Sequence, residues 1–514
     1  MSEARKATLV ATLTTAPSAA GLGPLTGADW LEVRADLTGD LDPAPLRARF
    51  PGKLLYTLRS RGEGGAFESS ADRRRRRLLE AASRYDLVDL ESERDLAPEL
   101  LQAVAPERRI VSWHGAAPGL AGLQSRFNRM LAAEALLYKL VPAAVQPGEE
   151  LAPLLLLQAL QRADVAAFAS GLSGAWTRLI APRLGAPVVY GAVGRVAGAP
   201  GQISLRRLQR DYGLPDLPPV EKLFGIVGNP VAHSLSPRLH NGAYRALGIP
   251  ALYLPFHTAA FGDFWLEVVE GGVLEALGMP IRGLSVTAPW KAAALAVAGA
   301  ESPLAGRIGA ANTLVWNAGV WEAESTDPEG VVLPLAERGI DPRGKRALVV
   351  GAGGAGRSAA VGLATSGARV TLANRSAEAG ERAAADLHLP FLPLADVDPA
   401  GFELLVNATP LGREPDDPLP FAVDCLAPGA VVIDLVYPLD GGVDDAGGEA
   451  ELPPPTRLLA AAAAQGAVAI DGREVLLDQA LGQFRRMTGR EMPRDLAREL
   501  LGLPAPAARM APAR

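Results

Sequence analysis

The chain has 514 residues, 48% of them hydrophobic and 21% charged, and a formal net charge of −6. That composition excludes a mainly disordered chain, and at roughly 100–200 residues per domain it predicts about three compact units. Its 55 glycines and 43 prolines keep no three-residue period, which excludes collagen, and its acidity argues against nucleic acid as a partner.

The single cysteine, Cys425, excludes an internal disulfide and a cysteine-built zinc site, and the five histidines are scattered. No metal is expected, and a cytoplasmic setting is. No apolar run reaches the ~18 residues that read as a membrane span, so no membrane partner is expected. The opening ATLVATL carries three threonines and reads as a buried strand rather than a signal peptide.

In chain order, β-rich apolar runs are predicted at 8–13, 30–36, 53–59, 85–91, 109–114, 136–142, 165–170 and 188–193, with helices between them, for example at 71–85 and 125–135. Eight β/α units in so short a stretch predict a (β/α)8 TIM barrel over residues 1–215. Glu32, Arg34, Arg59, Glu91, His114, Lys139 and Ser170 fall at or near the C-terminal ends of these runs, where a barrel has its mouth. Lys139, in LLYKLVP, has apolar neighbours on both sides. A poorly solvated amine there, with arginines nearby to disfavour its charge, suits attack on a ketone to form an iminium. His114 is a near-neutral base for abstracting the acidified α-proton. Glu91 reads as a structural ligand for its neighbours. The five arginines at 73–77 read as a solvated helix face.

These residues resemble those of type I 3-dehydroquinate dehydratase, over about residues 5–213. The family's E-x-R-x-D is matched by Glu32, Arg34 and Asp36, its F-R-x-x-x-E-G-G by Arg59, Glu63, Gly64 and Gly65, and its late P-G-Q-I-S by 200–204. The resemblance makes Lys139 the Schiff-base lysine and His114 the general acid/base, assisted by Glu63. It places Glu32, Arg34, Arg59, Arg178 and Gln202 on the substrate, Arg178 on its carboxylate. Departures are Trp113 and Gly115 beside the histidine, and Gly198 in place of the usual serine.

A proline-rich linker is predicted at 212–222, and a second, weaker joint near 338–345. After the linker, an α/β unit over 222–339 carries GNPVAHSLSP, whose Ser234 and Ser236 precede a helix and suit a carboxylate. Lys291 ends LSVTAPWK, and Asp327 lies in the turn STDPEG; the two are able to share a proton, as a ketone–alcohol interconversion needs. The run 346–350 then leads into GAGGAG at 351–356 and a helical stretch. In that strand–turn–helix context the glycines let backbone approach a pyrophosphate. The next strand, 368–373, ends in Asn374, Arg375 and Ser376. An arginine there, rather than an acid, favours the 2′-phosphate of NADP. Further strands at 403–406 and 430–435 lead to Thr409 and Tyr437.

This half resembles shikimate dehydrogenase over about 222–500. G-N-P-x-x-H-S-L-S-P is intact, N-V-T-x-P-x-K is matched at 285–291, I-G-A-x-N-T at 308–313, N-T-D-x-x-G at 325–330 and G-x-x-x-L-x-x-Q at 472–479. The resemblance implies a substrate-binding domain at 222–339, completed by helices at 470–502, and a Rossmann NADP-binding domain at 340–469. It makes Lys291 and Asp327 the catalytic pair, surrounded on the substrate by Ser234, Ser236, Thr287, Asn312, Tyr437 and Gln479. Gly351, Gly353, Gly354, Ala355, Gly356, Asn374, Arg375, Ser376 and Thr409 would hold the cofactor. Departures are Ser285 and Ser325 for asparagines and Ala379 at the second arginine of the 2′-phosphate clamp. The polar stretch between Pro438 and Thr456 reads as a surface loop, and the tail from Leu503 as frayed.

Two consecutive reactions are therefore expected of one chain: dehydration of 3-dehydroquinate to 3-dehydroshikimate, then NADPH-dependent reduction to shikimate. Two alternatives stand beside this reading, an NAD-preferring catabolic quinate/shikimate dehydrogenase and a non-catalytic sensor of these acids.

Overall fold

The computed structural model describes residues 5–17, 25, 27–194, 196–414, 416–437 and 455–504. The predicted loop between Pro438 and Thr456 and nearly all of the predicted frayed tail lie outside the described residues. Two compact units are present, the first drawn mainly from 1–223 with 250–281, the second from 224–249, 282–441 and 451–514.

The first unit contains eight parallel strands, Thr8–Leu13, Trp30–Arg34, Lys53–Thr57, Leu87–Glu91, Arg109–Ala116, Leu137–Ala143, Val165–Ala167 and Val188–Val193. Each pairs with the next up to the seventh, and the eighth pairs back onto the first. The ladder does not close between the seventh and eighth, since Val165–Ala167 is only three residues long. Side chains alternate across each strand. Tyr138 points outward, its ring edge-on to Phe127 of helix Gly119–Met130 at 5.7 Å. Its neighbour Lys139 must then point inward. Alternation thus collects Glu32, Arg34, Thr57, Asp89, Glu91, Ser112, His114 and Lys139 inside the barrel.

Three local expectations need correction. The helix between the fifth and sixth strands runs Gly119–Met130 rather than 125–135, because Leu123, Phe127 and Met130 form its buried stripe. Part of the proline-rich stretch is not linker: Asp216–Leu217 pairs antiparallel with Arg5–Lys6. The arginine run is not uniformly solvated. In helix Ala71–Arg84, Arg74 is buried and its Nη2 lies 2.6 Å from Asp95, while Arg77 pairs with Asp40; helical spacing turns these two toward the barrel.

In the second unit, strands Ile281–Val286, Thr313–Asn317 and Val320–Glu324 form an antiparallel ladder, with Ala300–Glu301 parallel to the last. A separate six-stranded parallel sheet has the order Phe391–Pro393, Arg369–Asn374, Arg346–Val350, Leu404–Asn407, Val431–Asp434, Val468–Ile470. This is a doubly wound Rossmann order, with its switch point between Arg346–Val350 and Leu404–Asn407. Both faces are covered: Ala347 and Val349 pack with Ala360 and Leu363, while Leu348 and Val350 pack with Leu458 and Leu459. Helices Asp327–Glu337 and Gly472–Thr488 cross closely at Gly330, where a Cβ would lie 2.6 Å from the Val475 carbonyl oxygen. Among the described residues no helix is long and apolar enough to cross a membrane.

Candidate functional site

Inside the barrel, Lys139 is 4% exposed. Its Nζ donates to Asp89 Oδ2 at 3.2 Å and lies 3.9 Å from Glu32 Oε1 and 4.4 Å from the centre of the Tyr190 ring. The groups in contact with the amine are therefore carboxylates and a ring, where the sequence led us to expect arginines. Burial alone would raise the Asp89 pKa, but Arg59 and Lys139 outweigh it and hold it at about 2.

Arg59 ties this cluster together. Its guanidinium donates to Glu63 (3.1 Å), Glu91 (3.2 Å), Ser112 (2.9 Å) and Asp89 (3.0 Å). Glu91 also accepts the Ser60 amide and pairs with Arg74, so it braces its neighbours. Glu63 Oε2 faces His114, 3.2 Å from Nδ1 and 3.0 Å from the backbone nitrogen. Burial pushes the Glu63 carboxyl up to about 8, with Glu91 and Asp89 adding to the effect against the pull of Arg59. Burial, then the charges of Arg59, Lys139 and Arg34, hold the His114 pKa well below the usual histidine value. At neutral pH this is a neutral imidazole beside a largely protonated carboxyl, in the same cavity as the Lys139 amine.

Arg178 differs from every other cation here. It is 4% exposed, lies 5.1 Å from the centre of the Phe168 ring, and has no ion pair among the described residues. Its Nε lacks any partner, and burial alone pulls its pKa down to about 10, leaving it a cation at neutral pH. An unpaired buried guanidinium is a site for an anion.

At one side of the mouth, Glu32 accepts from Thr12 (2.8 Å) and Thr57 (2.9 Å). Gln202 donates to the Thr12 hydroxyl at 3.1 Å, and its Oε1 accepts the Gly198 amide at 2.8 Å. Arg34 pairs with Asp36 and donates to the Gly198 carbonyl at 2.6 Å. A Cβ on Gly198 would stand 3.0 Å from both Arg34 Nη1 and Gln202 Oε1. The missing side chain thus lets both groups grip the loop backbone.

In the second unit, Lys291 Nζ donates to Asp327 Oδ2. Asp327 Oδ1 in turn accepts from Asn312 Nδ2 at 2.6 Å, and Asn312 Oδ1 accepts the Thr326 amide at 2.9 Å. Gln483 Nε2 braces this turn from the Asn312 carbonyl at 3.1 Å, and Ser285 donates to Gln483 Oε1 at 2.8 Å. Ser285 therefore supports the turn through an intermediary, whereas Ser325 Oγ is buried without a partner. Asp327 opens helix Asp327–Glu337 rather than sitting in a free turn. Gln479 packs where a Gly330 Cβ would be, at 2.7 Å, one turn from Asp327. Thr287 packs against Gly228, at the head of the loop carrying Ser234 and Ser236, and the Ser236 amide donates to Ser234 Oγ at 3.2 Å. Tyr437 is half-buried, three residues past strand Val431–Asp434.

The glycine loop meets this pair. A Cβ on Gly354 would touch the Lys291 side chain at 3.0 Å. A Cβ on Gly356 would collide with the Gly351 carbonyl oxygen at 1.9 Å, and one on Gly351 with the Ala408 carbonyl at 2.8 Å. Helix Gly354–Thr365 has no side-chain cap on its first amides, and nothing lies within 4 Å of a Cβ at Gly353. Open space over uncapped amides fits a pyrophosphate. Ala355 lies in the first turn. Asn374 Oδ1 accepts the Ala352 amide at 3.3 Å, Ser376 caps helix Ala377–Leu387, and Arg375 is exposed beside them. The Thr409 hydroxyl closes the facing turn on Asn407 Oδ1 at 2.7 Å.

Sequence reasoning missed Asp89, Ser112, Thr12, Tyr190, Thr326 and Gln483. Asp89 and Ser112 were signalled by period-two alternation with Glu91 and His114, and Gln483 by helical spacing from Gln479; Thr12, Tyr190 and Thr326 carried no such signal.

Two family models match the chain: type I 3-dehydroquinase over residues 13–216, and the shikimate dehydrogenase substrate binding domain over 226–314. The shikimate dehydrogenase (NADP(+)) of Halobacterium salinarum is 39% identical over 273 residues, 53% of this chain and 95% of that protein. The chloroplastic bifunctional 3-dehydroquinate dehydratase/shikimate dehydrogenase of Arabidopsis thaliana is 28% identical over 505 residues, 91% of this chain and 79% of its own length. The structure of shikimate 5-dehydrogenase from Thermus thermophilus in complex with NADP(H) and shikimate is 32% identical, covers 55% of this chain and 98% of its own, and has a TM-score of 0.46.

Proposed function

We infer the division of labour from one premise: the chain belongs to the shikimate dehydrogenase family in its second half and carries a type I 3-dehydroquinase in its first. It is a bifunctional 3-dehydroquinate dehydratase/shikimate dehydrogenase, and neither the quinate-catabolic nor the sensor alternative is favoured. Our assignment of parts is 1–215 for the dehydratase, 222–339 with the helices at 470–502 for the reductase substrate, and 340–469 for NADP. The substrates are 3-dehydroquinate, 3-dehydroshikimate and shikimate. We take neither nucleic acid nor membrane to be a partner, and from the single cysteine we read a cytoplasmic setting.

In the barrel, Arg178 takes the substrate carboxylate, and Glu32, Arg34 and Gln202 orient the ring hydroxyls. Arg59, whose donors hold the carboxylates, serves the substrate through them. Lys139 adds to the ketone and, with loss of water, becomes an iminium. That cation draws electrons from the adjacent C–H bond. Neutral His114 takes the proton, and the imidazolium it becomes is held by Glu63, whose Oε2 faces its Nδ1. His114 then protonates the departing hydroxyl, which leaves as water while the C=C bond forms. Hydrolysis of the iminium frees the enone and the amine.

In the second half, bound NADPH supplies the hydride. Arg375 would pair with its 2′-phosphate, and the uncapped first amides of helix Gly354–Thr365 would hold its pyrophosphate. Ser234, Ser236, Thr287, Asn312, Tyr437 and Gln479 position the substrate. The Lys291–Asp327 pair delivers a proton to the carbonyl oxygen as it becomes an alcohol.

The observation that carries this reading is the meeting, in one barrel cavity, of a buried amine, a neutral imidazole on a carboxyl and an arginine without an ion pair. A coupled assay tests it. With 3-dehydroquinate and NADPH, the wild type oxidises NADPH. Lys139→Ala does so only when given 3-dehydroshikimate, and Lys291→Ala accumulates the enone. NADPH oxidation from 3-dehydroquinate by Lys139→Ala would overturn it.

A further inference from the structure

Tyr190 stands on strand Val188–Val193, paired with Val10, and points into the barrel. Its ring lies against the Lys139 Nζ, 4.4 Å from the centroid, and 6.4 Å from the Phe168 ring, which in turn faces Arg178. The residue is 4% exposed, and its hydroxyl is buried with no hydrogen-bond partner among the described residues. The rest of the inward-facing polar set is densely paired around it. Tyr190 is thus an unsatisfied donor between the amine that would attack the ketone and the guanidinium that would take the carboxylate. A buried hydroxyl without a partner is costly, so a stable chain retains one where a ligand completes it.

We propose that Tyr190 is a catalytic residue of the dehydratase, whose hydroxyl donates a hydrogen bond to the ketone oxygen of the substrate as Lys139 adds to the carbonyl carbon. The inference rests on the Schiff-base reading of Lys139. The bond formed is N–C; the carbonyl π pair moves to the oxygen, the proton that the attacking nitrogen sheds passes to that oxygen to give the carbinolamine, and the phenol O–H supports the oxygen without giving up its own proton. Burial, with Glu32 and Asp89 nearby, raises the Tyr190 pKa well above the ordinary phenol value, so it stays a donor throughout. The ring face also packs against Nζ and fixes the end of the Lys139 side chain.

The test is Tyr190→Phe in the full chain, which removes one oxygen and keeps the ring. Three quantities are read: the rate of borohydride-trapped adduct formation at Lys139 with 3-dehydroquinate, dehydratase kcat and KM, and the thermal unfolding midpoint. Adduct formation and kcat should fall about 10-fold, the scale of one hydrogen bond made in the transition state, with KM changing less. The midpoint should hold or rise, because the free enzyme loses an unpaired buried group. A lower midpoint or an unfolded variant would assign the hydroxyl to structure and overturn the proposal, as would unchanged trapping and kcat. Absence of any adduct in the wild type would instead sink the Schiff-base reading itself.

Discussion

Replacing Arg178 by methionine separates binding from stability in a way few substitutions do. Methionine keeps much of the unbranched stem and loses the charge. Burial pulls the guanidinium from the ordinary arginine value to about 10, which at 1.36 kcal/mol per tenfold change disfavours the charged form by ~3 kcal/mol in the free barrel. No carboxylate among the described residues offsets this, unlike Arg59, which has three. Arg178→Met should therefore leave the free protein as stable as the wild type or stabilise it by up to ~3 kcal/mol. Losing one partner of a buried, hydrogen-bonded charge pair costs about 2–5 kcal/mol in binding, so dehydratase kcat/KM should fall by about 30-fold or more. Enone absorbance from 3-dehydroquinate follows kcat/KM, and calorimetry with and without 3-dehydroshikimate follows stability. The ligand should raise the wild-type midpoint by more than the variant's, since its binding to the dehydrogenase half is common to both. A variant that melts earlier and retains its KM would show that the arginine is a structural strut, and the reasoning from its missing partner would fail.

Glu63 is more readily protonated in the folded barrel than in the unfolded chain, so its stabilising contribution is complete in acid and is lost as pH rises from the ordinary carboxyl range through about 8. Glu63→Gln should flatten that part of the melting-temperature profile and remove an inflection near pH 8 from dehydratase kcat/KM; an unchanged inflection assigns it to another group. Asp327→Asn should lower dehydrogenase kcat by about 100-fold or more while the coupled dehydratase step keeps its rate, measured as enone formation without cofactor. Gly356→Ala drives a methyl into the Gly351 carbonyl and should abolish NADPH binding by fluorescence titration; retained binding would mean the loop has room that the backbone distances deny. Arg375→Ala should weaken NADPH about 10-fold and NADH hardly at all, the difference between the two titrations being the measurement.

Much of this protein was legible in one dimension because its two architectures are built from short, strongly patterned segments. Alternation in TLVATL, WLEVR and LYKLVPA marks inward and outward sides whatever those sides later touch, and GAGGAG declares its turn because backbone must pass backbone where no side chain fits. Lys139, His114, Lys291 and Asp327 stood out as chemically expensive groups in apolar or turn surroundings. What the linear order left undecided was who satisfies whom. Asp89 reads as one more strand residue until the barrel brings it to both Lys139 and Arg59. Arg59 is a substrate contact by resemblance, yet its donors reach Glu63, Glu91, Ser112 and Asp89, residues 4, 32, 53 and 30 positions away. Arg178 and Tyr190 are informative for the opposite reason: each is buried with a polar atom that nothing pairs. Hydrogen bonds and ion pairs act over a few ångströms of space while their partners lie tens of residues apart. Type and pattern are therefore set locally, whereas charge state and pairing are decided by closure of the fold.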